Sequence, residues 1–464
     1  MAPRLGLGGG VTADPASGLF GGIPEATKDF NFAVDRKSDS ALDSQDDITF
    51  GRGSVGRAMN SSGNIVEVSS GEPRYEYDKD GNSLGLLMEE ESTNNITTSD
   101  FGSGWNAWES GGLLSGTTTT GPDGVSGSGK GIGTIAGTKY NVTYNYGQLT
   151  STHGNFSTWT EDCFSIYAKK GNVNYLRFSL QIFGSTQVGA SFNLDSGSQY
   201  DINSTNCSAI IEDVGSGWYR CVIYNVTAMP GSGEGAYAGI WLSPSGSSSS
   251  NYVEQRDEGA DKYVYLWNAQ RDDDQQYPGS PIVTSGGTAT RAADSASMQA
   301  ADLGYNNVGT FFIECKRLYD APVLDDSGAD DHAQYLVLWN AISGKSISIG
   351  TTDTKEKVVS AGMGSDSLSI EAGSALTGRY FTSSGASAIK IAVAIAEDDC
   401  AASLNGANAI TDTSFDIGEN DTGVVYIGGT ANDSNGWARI HGQIKRIRFW
   451  DTRLTDKQLK ELSA

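Results

Sequence analysis

Short stretches that alternate apolar and polar residues, each closed by Gly, Ser, Asn or Asp, run through most of this 464-residue chain. A period of two is what a strand with one buried face requires. Phe164, Ile166 and Ala168 share one face. Leu176, Phe178, Leu180 and Ile182 share another, opposed by Arg177, Ser179 and Gln181. Ile389, Ile391, Val393 and Ile395 form the cleanest alternation, and Ile447 and Phe449 alternate with Arg446 and Arg448. The pattern predicts an all-β protein: two antiparallel β-sandwich (jelly-roll) modules with an extended N-terminal arm and a short C-terminal helix. That helix is the one clear helical signal. Thr455 and Gln458 make a capping box, and Leu454 and Leu459 make a hydrophobic staple. No repeat of fixed period is visible, which disfavours solenoids and propellers.

Composition shifts suggest the boundaries. Residues 1–47 read as an attachment arm, 48–100 as a β-rich preamble packed on the first sandwich, and 101–294 as the first jelly roll. Residues 295–309 read as a linker, and 310–464 as a second sandwich with the helix. The Gly- and Ala-rich first thirty residues are either a disordered tail or an anchor that orders against a neighbouring subunit.

Charge narrows the partners. With 32 Lys and Arg against 56 Asp and Glu, the net charge is −24, which repels phosphate backbones and anionic membranes. Nucleic-acid binding and membrane insertion are therefore not expected. No apolar run approaches a membrane span, and the first residues lack the apolar core of an export signal, so synthesis in a reducing cytoplasm is expected. The five cysteines are scattered and odd in number, which argues against a paired disulfide framework. His153, His332 and His441 lie far apart and have no suggestive local partner.

Catalytic motifs are mostly absent: there is no HExxH, no GxSxG and no phosphate-binding Gly loop. Glu89-Glu90-Glu91 could offer paired carboxylates to a glycosidase, but it follows an apolar strand and reads as a solvated strand end. Glu397-Asp398-Asp399 reads as a turn. Asp325, Asp326, Asp330 and Asp331 around Gly328 are the best metal candidate, for Ca²⁺; the spacing is not that of an EF-hand, and a solvated acidic loop is the plainer reading. Asp272-Asp273-Asp274 is a weaker candidate. No other cofactor is implied. Sugars stack their C–H faces on aromatic rings, and Trp241, Tyr263, Tyr265, Trp267, Trp339 and Trp437 are candidates for such contacts. Core packing is the plainer role for any one of them.

Several longer stretches carry a family pattern. Ile48-Thr49-Phe50-Gly51-Arg52-Gly53-Ser54, Glu72-Pro73-Arg74-Tyr75-Glu76-Tyr77-Asp78 and Ser83-Leu84-Gly85-Leu86-Leu87-Met88-Glu89-Glu90-Glu91-Ser92-Thr93-Asn94 come first. Gly217-Trp218-Tyr219-Arg220-Cys221, Tyr265-Leu266-Trp267-Asn268-Ala269-Gln270 and Thr290-Arg291-Ala292-Ala293-Asp294 follow. Together, over about residues 48–294, they resemble a family of bacteriophage tail and virion structural proteins in which such a preamble precedes a carbohydrate-binding-module-like jelly roll. Ser92 departs from the pattern, where Arg or Gln is usual. The second module is similar, more loosely, to the concanavalin A-like (laminin G-like) fold, through Ile389–Ile395, Ile427-Gly428-Gly429 and Gly442–Trp450.

The resemblance implies a tail fibre or surface-displayed virion protein, joined to other virion proteins through its arm and touching host-surface glycans. By analogy it implies a homotrimer, and it carries over no catalytic residues. A sandwich-type glycan depolymerase and a purely architectural decoration protein stand as alternatives.

Overall fold

The structure, a computed structural model, describes residues 22–33, 47–101, 105–108, 111–134, 142–145, 163–182, 188–200, 207–224, 236–243, 262–272, 278–317, 332–340, 345–351, 357–363, 366–371, 388–414, 423–429 and 437–464. The described residues are all-β, with strands paired almost entirely antiparallel and two short helices, Ala300–Leu303 and Asp456–Ser463.

The first sandwich has one sheet ordered Ser208–Gly215, Trp218–Tyr224, Cys163–Lys170, Lys262–Asp272, Gly129–Thr134, Gly111–Thr119. Its facing sheet is ordered Ser198–Tyr200, Val188–Asn193, Tyr175–Ile182, Ala236–Ser243, Val142–Asn145, Trp105–Trp108. Phe164, Ile166, Cys221, Ile223, Val264 and Leu266 from one sheet meet Leu176, Ala190 and Phe192 from the other in a single core. Strand alternation therefore sends Tyr167, Arg220, Tyr263 and Tyr265 to the outer face of the first sheet.

The second sandwich pairs Ile410–Asp412, Cys400–Leu404, Ile389–Ile395, Gly309–Arg317 and Gly442–Trp450 in one sheet. Its other sheet contains Ser295–Gln299, Val424–Ile427, His332–Asn340 and Lys345–Thr351. The Ile389–Ile395 strand is buried on both sides. Ile391, Val393 and Ile395 enter the inter-sheet core, while Ala392 and Ala394 pack with Leu454 and Leu459 beneath the terminal helix. Small alanines on that face let the helix lie close. The Thr455–Gln458 capping box is present, and Leu454 and Leu459 share a cluster.

Three expected boundaries change. Within the arm, Lys28–Asn31 is a strand on Gly442–Trp450, with Phe30 and Phe32 buried in the second core. Residues 1–21 and 34–46 lie outside the described residues. The preamble does not simply cover the first sandwich. Arg74–Tyr77 and Ser83–Met88 extend the second sandwich's sheet through Gly442–Ile444, and Thr49–Gly51 joins its other sheet. Gly85 adopts φ +108°, and a Cβ there would strike the Ile444 carbonyl, so only glycine lets these strands close. Its hairpin Gly56–Met59 with Ile65–Val68 does reach the first sandwich, where Ile65 packs on Tyr167, Trp218 and Trp267. The linker is no linker either: Ser295–Gln299 is a strand between Thr49–Gly51 and Val424–Ile427. Local period two announces a strand but not its partner, and here the partners lie in the other module.

Candidate functional site

The outer face of the first sandwich's larger sheet is laid out in rows. Glu212 pairs with Arg220, Arg220 with Tyr167, and Tyr167 with Trp267 across four adjacent strands. The next row holds Trp218, Lys169, Tyr265 and Gly131. The preamble hairpin covers the aromatic end of the first row and Trp218 of the next: Trp267 is 6% exposed and Trp218 is fully buried, its Nε1 donating to the Thr120 carbonyl at 3.1 Å. Tyr263 and Tyr265 are half-buried, and Tyr265 packs against the edge of that covered cluster.

These two tyrosines form a ring pair, centroids 5.3 Å apart and planes at 75°. The Tyr265 hydroxyl, hydrogen-bonded to Tyr263 and partly desolvated, is held above the ordinary phenol pKa. Their neighbours on Gly129–Thr134 are Gly131 and Gly133, which raise no side chain beside the rings. The Thr117 side chain lies over Gly131. On the other side Lys169 stands against Tyr265, donating to the Ser216 carbonyl at 2.8 Å. The result is a strip of two rings over a glycine floor, flanked by a threonine and a lysine. Such a surface offers stacking faces and a few polar edges.

Where the preamble, residues 278–294 and the second sandwich meet, charges are buried together. Arg74 is 0% exposed and pairs with Glu89 at 2.6 Å and with Asp294. Asp294 also takes Arg52 at 3.0 Å, and Glu89 has Arg291 at 3.6 Å and His441 at 3.4 Å. The Ser280 amide donates to Glu89 at 2.7 Å. Burial alone would raise the Glu89 pKa, but the Arg291 and Arg74 charges hold it well below the carboxylate range. Burial, reinforced by those arginines, lowers His441 to about 4, so the imidazole is neutral despite Glu89. This cluster is a clamp: every carboxylate in it is matched by guanidinium. Sequence reading placed Glu89 on a solvated strand end; it is 1% exposed, and only Glu91 of the triple is exposed. Asp272, weighed as a metal ligand, is fully buried and accepts from Ser92 at 2.6 Å and Gln270 at 2.8 Å. Ser92, the departure from the family pattern, is thus matched to its neighbour.

Beside the clamp is a cleft of about 170 Å³ between the preamble and the Glu212–Arg220–Tyr167 row. Glu76, two positions along the same strand from the clamp's Arg74, lines it. Gln443 reaches it from the second sandwich and donates through Nε2 to Glu76 at 2.6 Å. Burial pushes Glu76 up to about 7 against that hydrogen bond, with Glu89 and Glu212 adding and Arg74 opposing. Burial raises Glu212 as well, against Arg220 and Lys316.

Of the predicted residues, the structure brings together Tyr263, Tyr265 and Trp267, and puts Trp267 in the packing under the preamble hairpin instead of on a free surface. Trp241 lies in the opposite sheet, on Ala236–Ser243, and Trp339 and Trp437 lie on strands of the second sandwich; of these three only the backbone is described. Asp325, Asp326, Asp330 and Asp331 lie outside the described residues. Among the described residues no three His, Cys, Asp or Glu side chains are grouped to hold a metal, and no helix is long and apolar enough to cross a membrane. The five cysteines are buried thiols. Sequence reasoning missed the clamp and the cleft. The signal was present as charged residues inside β-like runs, Arg52, Arg74, Arg220 and Arg291.

No protein-family model matches the chain, and no curated protein does. Among solved structures, part of the chain is similar to the CBM40 of the Ruminococcus gnavus IT-sialidase bound to α2,3-sialyllactose. The identity is 16% and the TM-score 0.27, over 35% of this chain and 86% of that one. Another is domain 4 of a GH43 extracellular arabinanase from Geobacillus stearothermophilus in complex with arabinotriose, at 15% identity and TM-score 0.25, over 41% of this chain and 84% of that one. With overlap this partial, a function for this chain has to come from its own geometry.

Proposed function

We propose that this chain is a glycan-binding structural protein that uses the outer face of its first sandwich. The observation that carries the reading is the Tyr263–Tyr265 ring pair, half-buried on the sheet's outer face beside Gly131 and Gly133. A sugar ring lies with its C–H face on a tyrosine, while its hydroxyls meet the phenol oxygens. One such contact is weak, so useful binding requires many copies acting together. The preamble resemblance supports placing the protein on a bacteriophage particle. There, a homotrimer attached to other virion proteins by the residues ahead of Gly22 would supply those copies. No catalytic role belongs to this reading.

The test is a glycan array probed with the intact chain and with Tyr263→Ala and Tyr265→Ala, alongside particle adsorption to cells. Selective binding that falls at least tenfold in both variants, with folding retained, supports the reading. A blank array, or unchanged binding in both variants, overturns it. Immunogold labelling of purified particles tests the virion placement separately.

A further inference from the structure

The cleft beside the clamp is a second site with a different chemistry. Its groups fall into two sets. The donors are already engaged: Arg220 donates to Ser165 Oγ at 3.0 Å and to the Gly279 carbonyl at 2.6 Å, and its guanidinium lies 5.4 Å from the Tyr167 ring centre. Arg57 donates to Glu67 at 2.9 Å. The acceptors are not. Glu76 takes the Gln443 amide on one oxygen. Glu212 is paired across the sheet with Arg220 by register and electrostatics, and it lines the same cleft. Gln443 is 1% exposed, and its Oε1 is buried with no hydrogen-bond partner. A buried amide oxygen left without a donor costs about 1–3 kcal/mol. Beside it are two half-buried carboxylates, Glu212 adding to the rise of Glu76, while the cleft's two arginines already have partners, so its unmet groups are acceptors.

We infer that this cleft binds a small polar molecule carrying a protonated amine, with Glu76 and Glu212 taking the ammonium and Gln443 Oε1 taking one of its N–H or O–H donors. A volume of about 170 Å³, at ~30 Å³ per water, holds about six waters. It suits a single amino sugar or a short diamine and excludes an oligosaccharide. The net charge of −24 favours the approach of a cation. The tyrosine strip lies outside this cleft, so this site stands or falls independently of the glycan reading.

The experiment is isothermal titration of the intact chain at pH 8 with glucosamine and putrescine, against glucose and 1,4-butanediol as uncharged counterparts. Binding of one or both amines, at least tenfold tighter than its uncharged counterpart and at least tenfold weaker in Glu212→Gln, supports the site. Glucosamine alone identifies an amino sugar, putrescine alone a diamine, and both the shared ammonium chemistry. Should Glu212→Gln fail to fold, Glu76→Gln, which removes a carboxylate that is costly to charge, gives the same readout. No binding of either amine, equal binding of the uncharged compounds, or affinity unchanged in the folded variant overturns the proposal.

Discussion

Glu89 and Glu76 lie in the same seam, on either arm of one preamble hairpin, the first buried and the second half-buried, and their environments drive them in opposite directions. Glu89 has Arg74, Arg291 and the Ser280 amide around it and stays ionised far below the usual range. Glu76 has one amide donor and two carboxylates for neighbours and rises to about 7. Loss of hydration pushes both upward, so it is the supply of cationic partners that separates a structural clamp from a group left ready to bind or release a proton. The clamp holds the seam closed, and the cleft is what that closure leaves incompletely satisfied.

The contrast can be broken most forcefully at the clamp. Glu89→Gln leaves Arg74 and Arg291 buried with less compensation, and should cost about 3–5 kcal/mol by denaturant unfolding. A loss below 1 kcal/mol would mean the clamp is not what holds the seam. A smaller effect of opposite sign is expected at the cleft. Glu76 has a raised folded pKa, so its stabilisation is full below its unfolded value near 4.5 and is lost as pH rises through about 7. Glu76→Gln should therefore match the parent near pH 5 and exceed it at pH 8 by about 1–2 kcal/mol. His441 works the other way. Its folded pKa of about 4 lies below the ordinary 6.5, so its contribution is present above pH 6.5 and lost as pH falls through 4. Thermal melts from pH 4 to 9 should show stability falling at both ends, with only the alkaline limb flattened in Glu76→Gln. Smallest of all, Tyr265→Ala on the open strip should change stability by about 1 kcal/mol or less while removing a glycan contact.

Much of the local structure was legible in the sequence. The Thr455–Gln458 capping box, the Leu454 and Leu459 contact and the Ile389–Ile395 strand all follow from short, regular spacing, and the structure keeps them. The seam was not legible. Arg74 and Asp294 are 220 positions apart, and nothing in the neighbourhood of either names the other. Glu89 read as solvated because it follows an apolar strand and leads into a polar run, yet the chain turns it inward onto Arg74, Arg291 and His441 from three other segments. Strand partners failed for the same reason. Arg74–Tyr77 and Ser295–Gln299 are strands by their own pattern, but tertiary pairing assigns them to the second sandwich.

The most direct measurement is a crystal structure of the intact chain soaked with the oligosaccharide that an array selects. A sugar ring stacked on Tyr263 or Tyr265 is the predicted result. A sugar seated instead on the strand carrying Trp241, or on the second sandwich at Trp339 or Trp437, would contradict it.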